Sequence, residues 1–185
     1  MATIITNFYT VDNQIGANLN APQTISVTTN PEYPAPNDSL GDTCQGIGGS
    51  QWVFVKASTT VTALNVVMID ESFNANNANY TEATTIASMN QRTLGIAEFQ
   101  TSLANPGDYF WAQIRGQGGS LVNVQSTAAA GLQLYLSAST PGALTTTLVS
   151  SATNVLVNNA YIVGSLTGTT AAVEVIFAFM RSVTQ

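Results

Sequence analysis

An all-β fold, a small antiparallel β-barrel or sandwich with an extended N-terminal arm, is what this sequence predicts. Three observations lead there. From Gln51 onward, apolar residues recur with a period of two, the spacing of a strand buried on one or both faces. Turn chemistry interrupts those runs at short, fairly regular intervals. Helix signals are poor, and β-branched residues, with 25 threonines foremost, are plentiful.

Residues 1–50 differ from the rest. Pro22, Pro31, Pro34 and Pro36 crowd one stretch, followed by the loose tract 37–42 and by Gly46-Ile47-Gly48-Gly49. Proline lacks a backbone donor and favours extended backbone, so neither a helix nor a central strand fits there. The segment still carries spaced apolar anchors: Ile4, Ile5, Phe8, Tyr9 and Val11, then Ile25 and Val27. Extended backbone with such anchors suits an arm lying on a neighbouring molecule better than an unstructured linker. An additional strand pair within the same domain is the competing reading. Residues 51–185 form the barrel domain.

Within that domain the first alternating run is Val61–Ile69, with Leu64, Val66 and Met68 opposed to Ala63, Asn65 and Val67. Ala83–Met89 could make one or two helical turns, weakened by its Thr and Ser. Asp108–Arg115 puts Phe110, Ala112 and Ile114 on one face and Tyr109, Trp111, Gln113 and Arg115 on the other. Leu132, Leu134 and Leu136 alternate with Gln133 and Tyr135, and Val173, Val175, Phe177 and Phe179 with Glu174, Ile176 and Ala178. Pro106-Gly107, Gly116-Gln117-Gly118-Gly119, Ala130-Gly131, Pro141-Gly142 and Gly168-Thr169 read as turns between strands.

Composition narrows the function. Charged residues make up 8% of the chain against about a quarter in ordinary domains, and histidine is absent. The four cations are Lys56, Arg92, Arg115 and Arg181, nowhere clustered, so the footprint of a nucleic-acid binder is missing. A net charge of −6 keeps the chain dispersed and disfavours anionic membrane surfaces. No run approaches the ~20 apolar residues of a membrane span, and the first residues lack the pattern of a secretory signal. The chain therefore reads as soluble, made in a cytoplasm. Polarity comes from Thr, 17 Asn and 15 Ser, a neutral surface that is cheap to desolvate against other subunits.

Catalytic machinery does not assemble from these residues. Without histidine there is no Ser-His-Asp or Cys-His site. Cys44 is the single cysteine, so neither an intrachain disulfide nor a cysteine-pair metal site can form; a reactive thiol or an intersubunit link is the functional alternative, and it reads as a small buried or idle side chain. The glycine run at 116–119 lacks dinucleotide-binding spacing. Asp70, Glu71, Glu98, Asp108 and Glu174 could in principle supply a glycosidase pair, but they read as solvated acids at strand ends. The oxygen-rich stretch 70–77 lacks the register of a calcium loop. Tyr109, Trp111, Trp52 and Phe54 fit either a sugar platform or packing, and packing or a subunit interface is the commoner use of strand aromatics. We expect no enzyme activity, no cofactor and no metal.

Several segments, taken in order, resemble small β-barrel capsid decoration (cement) proteins of tailed bacteriophages. They are Leu94-Gly95-Ile96-Ala97; Gly107 through Ile114 with a turn at Gly116; Ala130 through Tyr135; Pro141 through Thr145; and Ile162-Val163-Gly164 leading into Ala171–Met180. The blocks cover about half the chain; residues 1–50 lie outside the resemblance, and the Asn-rich stretch at 72–80 departs from it. The resemblance implies a structural protein on the outer surface of a virion, homotrimeric at three-fold positions. There it would bridge major capsid protein subunits and stabilise the head against internal pressure. The interface residues expected on this reading are Ile4, Ile5, Phe8, Tyr9, Ile25, Val27, Tyr109 and Trp111. A receptor- or carbohydrate-binding domain of a phage fibre or tail is the alternative, and would use Tyr109 and Trp111.

Overall fold

In a computed structural model the described residues are 19, 21–24, 38–46, 49–79, 93–99, 103–125, 132–147, 154–162 and 170–183. They form strands and turns with no α-helix among them: β1 (Thr43–Gln45), β2 (Gln51–Ala57), β3 (Val61–Thr62), β4 (Val66–Ile69), β5 (Asn74–Asn77), β6 (Thr93–Ile96), β7 (Leu103–Ala104), β8 (Tyr109–Asn123), β9 (Leu134–Leu136), β10 (Leu144–Thr145), β11 (Asn154–Ile162) and β12 (Thr170–Val183). The all-β expectation holds. The short helix expected at Ala83–Met89 lies outside the described residues, as do the turns at Ala130-Gly131 and Gly168-Thr169.

Strands β2, β5, β4, β6 and β8 follow one another around a closed five-stranded barrel, because β8 pairs back onto β2 from Lys56↔Tyr109 to Gln51↔Arg115. Closure removes the sheet edges that invite aggregation. Past Arg115, β8 leaves β2 and pairs with β12 instead, and the sheet continues through β11 and β9 to β10. One strand thus belongs to both halves of the molecule.

The glycine run 116–119, expected as a hairpin turn, lies inside β8. Gly116 pairs with Val175 and Ser120 with Val173, so three residues of β8 oppose Glu174 alone. This is a bulge, and glycine suits it: the strand bends there as it passes from barrel to outer sheet. The run Val61–Ile69 is also corrected. It breaks into β3, which forms a separate ribbon with β7, and β4, with Leu64 between them at φ 64°. A left-handed leucine costs about 1–2 kcal/mol. It is held by the Leu64 N–H donating to Ala97 O (2.7 Å) and by Leu64 O accepting from Asn123 N–H (2.9 Å).

Three apolar layers follow from the alternation. Val53, Val55, Val67, Ile69, Ala97, Phe99, Phe110, Ala112 and Ile114 fill the barrel, where Phe99 meets Phe110 edge-on at 5.4 Å. On the other face of β4 and β6, Val66, Met68, Leu94 and Ile96 pack with Val122, Val124, Leu134, Leu136, Leu144, Val155 and Val157 of the outer sheet. β4 is therefore buried on both faces, which is why Val66–Ile69 is uninterruptedly apolar. The third layer, Leu19, Cys44, Trp52, Phe54 and Trp111, lies outside the barrel wall.

That third layer draws on residues before position 50. β1 pairs with β2, and Gln23 forms a two-way bridge with Tyr109, at 2.6 Å (Gln23 N–H to Tyr109 O) and 2.9 Å (Tyr109 N–H to Gln23 O). Part of the span assigned to an arm is therefore docked on its own barrel. The expected anchors Ile4, Ile5, Phe8, Tyr9, Ile25 and Val27 lie outside the described residues.

Asn65 ties the two halves together. Buried at 5% exposure, it donates to Asn77 Oδ1 (3.1 Å) and to Pro141 O (3.2 Å), and its Oδ1 accepts from Asn123 Nδ2 (2.7 Å). Asn123 also donates to Ala63 O and Asn77 to Thr60 O. Gly142, at φ 80°, lies so close that an added Cβ would sit 2.4 Å from Asn65 Nδ2. Asn65→Ala should lower stability by about 1–3 kcal/mol by orphaning these buried groups. Gly142→Ala should be destabilising as well, through its φ and the clash. Urea unfolding of both variants checks this.

Candidate functional site

The face the sequence nominated is the outer wall of β2 and β8. Strand alternation turns Trp52, Phe54 and Lys56 outward from β2, and register sets Phe54 beside Trp111 and Lys56 beside Tyr109. Phe54 stacks on Tyr109 at 5.7 Å and 16°, and meets Trp111 at 5.1 Å and 51°. The Lys56 ammonium stands 5.6 Å from the Tyr109 ring centre, within cation–π range. The result is a ladder of aromatic rings ending in one cation.

Most of that ladder is covered. Trp111 is 2% exposed and Phe54 is fully buried, under Leu19 and Cys44. Trp111 is therefore not a surface residue of this chain, and neither an interface nor a sugar platform can use its ring while this cover is in place. Tyr109 is half-buried and remains within reach. Cys44, fully buried in the same cluster, is the small interior side chain expected of it. The ring of Phe73, 36% exposed, lies over Gly41, where an added Cβ would come within 2.5 Å of it.

Above this face sits a strap made of Leu19 and residues 21–24. Leu19 is the apolar plug and Gln23 the backbone clasp on Tyr109. Through Gln23 it meets the turn that enters β1 at Asp38. Asp42 closes that turn, accepting the Ser39 N–H at 2.8 Å. Asp38 accepts a hydrogen bond from the Gln23 side chain, but its Oδ2 is buried without a partner. Desolvation, and after it the negative charge of Asp42, push the Asp38 carboxyl above the ordinary 3.8, while the Gln23 hydrogen bond pulls the other way.

Asp70 and Asp108 are structural fastenings. Asp70 Oδ1 accepts the backbone N–H of Ser72 (2.9 Å) and Asn74 (2.8 Å), and both carboxylate oxygens take the Asn74 side-chain amide. This locks the tight turn in which Phe73 adopts φ 59°. Asp108 accepts the Asn105 N–H at 2.7 Å across the Pro106-Gly107 turn. Against the expectation of solvated acids, Asp108 and Glu98 are each only 5% exposed. The side chain of Glu174 lies outside the description. Among the described residues no group of three or more His, Cys, Asp or Glu could hold a metal ion, and no helix is long and apolar enough to cross a membrane.

A second polar cluster lies on the outer sheet. Gln125 Oε1 accepts from Ser137 Oγ and from Ser139 Oγ (3.0 Å), while its Nε2 donates to Thr140 Oγ1. Neutral hydroxyls and an amide satisfy one another here without any ionised group. Sequence reasoning missed this cluster, the strap and the Asn65 hub. Only the density of Asn, Ser and Thr hinted at them. Compared with protein-family models, with curated proteins and with solved structures, the chain matches none.

If the acids are turn locks, Asp70→Ala and Asp108→Ala should each cost about 1–3 kcal/mol of stability by leaving turn N–H groups without their acceptor. Denaturant titration of the two variants, compared with exposed Glu71→Ala as a near-neutral control, provides the check.

Proposed function

We propose that this chain is a structural virion protein that decorates an icosahedral capsid, self-associates as a trimer and bridges major capsid protein subunits on the outer surface. The observation that carries the reading is the use made of its few acids: Asp42, Asp70 and Asp108 each accept backbone N–H groups of their own turns. Carboxylates engaged this way hold shape and are poorly placed to move protons for a substrate. Shape-holding acids, a closed barrel and a surface of neutral hydroxyls and amides suit a building block that meets many identical neighbours. Repetition over a lattice converts weak contacts into firm attachment.

The fibre or tail binding domain is the weaker alternative. It needs an accessible aromatic platform, and the burial of Trp111 leaves Tyr109, with Lys56 above it, as the aromatic of that pair in reach.

On this reading the capsid-reaching portion of the arm is the stretch before Leu19, because Leu19 and Gln23 dock on the chain's own barrel. Removing residues 1–18 should preserve the fold and the oligomer while lowering retention on particles. Removing residues 1–30 should in addition uncover Trp111 and red-shift the tryptophan emission. Electron microscopy of native particles carrying the chain should show trimeric density over three-fold positions. Density at a fibre or tail, or a monomer at all concentrations in sedimentation, would overturn the proposal.

A further inference from the structure

Two turns meet at one end of the barrel, joined by a single ring. In the turn before β5, Phe73 adopts φ 59° and keeps its side chain 36% exposed. A bulky side chain at positive φ is an outlier, since glycine or asparagine takes that conformation at little cost. The backbone there is pinned on both sides. Phe73 N–H donates to Asp70 O (3.0 Å), Phe73 O accepts the Lys56 N–H (3.0 Å), and the Asp70 carboxylate accepts the N–H groups of Ser72 and Asn74. The ring rests on Gly41, whose φ of 86° and missing Cβ leave room for it. Beside Gly41, Leu40 is exposed in the turn that Asp42 closes. A strained backbone thus sets a phenyl ring next to a leucine at the surface, and strain of this kind gathers where a segment binds.

The acids around this apolar pair indicate what it fits. Asp38 and Asp42 flank Leu40 in one turn, and exposed Glu71 belongs to the other. Of the cations whose side chains are described, Lys56 stands over the Tyr109 ring and Arg115 pairs with Gln51 at the far end of β2. We propose that Phe73 and Leu40 form a docking surface for a different, cationic protein, one that lays an apolar side chain against them and brings lysine or arginine to the flanking acids. The aromatic anchor supplies affinity, and the acids set partner choice and speed of encounter. A second copy of this chain is a poor occupant. With four cations in 185 residues and a net charge of −6, it would bring like charge to like. Asp70 and Gly41 act as positioning residues, holding the ring in place without touching the partner. The surface belongs to the isolated chain, so its test is separate from that of the virion reading.

Fluorescence anisotropy of a labelled synthetic peptide, with leucine and phenylalanine set between arginines, tests the surface. The unmodified protein should bind this peptide, and more weakly as salt is raised. A peptide with glutamates in place of the arginines, and one with glycines in place of the leucine and phenylalanine, should each bind about tenfold more weakly or worse. Glu71→Lys, a change to an exposed side chain, should weaken binding at low salt and flatten its salt dependence. Phe73→Asn should weaken binding about tenfold or more. Its urea midpoint should hold or rise, since asparagine accepts φ 59° with less strain. That midpoint separates a binding ring from a merely structural one, whose removal lowers stability. Absence of binding to the unmodified protein, equal binding of either control peptide, undiminished binding in Phe73→Asn, or a lowered urea midpoint in that variant would overturn the docking surface. Self-association in sedimentation that Phe73→Asn abolishes would overturn it too, by assigning the face to a second copy.

Discussion

Everything in this molecule leans on the double allegiance of β8. Its first half closes the barrel against β2, and its second half founds the outer sheet against β12. Neither half could be built independently, because the apolar layer between them uses the outward side chains of β4 and β6 on one side and Val122 and Val124 on the other. The bulge around Gly116–Gly119 is the price of that continuity: the strand must bend, and residues without side chains let it bend most cheaply.

Polar groups reinforce the arrangement at places where charge would be costly. Asn65 joins the loop after β3 to Asn77 of β5, Asn123 of β8 and the Pro141 carbonyl in one hydrogen-bonded node. An amide both donates and accepts without ionising, so it can be buried and satisfied at modest cost, whereas a charged group would need a buried counter-ion. The same economy operates at Gln125 and its surrounding hydroxyls. A chain so poor in charge obtains its specificity from directional neutral groups. That leaves its surface open to desolvation against a neighbour.

The strap is the exception. Here a carboxyl with one buried, unpartnered oxygen lies beside a second acid and the side chain of Gln23. Natural folds are otherwise locally consistent, and departures of this kind concentrate where a segment moves or binds. The aromatic face below it is the largest assembly of rings among the described residues, and its cover comes from a part of the chain remote in sequence.

Much of the fold was legible from periodicity. Alternation alone located the strands around Tyr109–Arg115 and Leu134–Leu136, because a strand buried against a core on one face must place apolar groups at every second position. The turns at Pro106-Gly107 and Pro141-Gly142 were legible too, since Gly107 at φ 94° and Gly142 at φ 80° occupy conformations that favour glycine. What alternation could not reveal was which face of β8 met solvent. Tyr109 and Trp111 share a face in sequence, yet Trp111 is sealed by Leu19, about 90 residues earlier. Nor could it show that a glycine run would bend a strand instead of ending it, or that Leu64 would break an unbroken apolar alternation. Those outcomes depend on pairing partners distant in the chain, and the free energy of such contacts exists only once the strands have met. Local composition thus decided that this protein is a β-structure built from neutral groups. Tertiary pairing decided which of its aromatic rings are interior and which acids are fastenings.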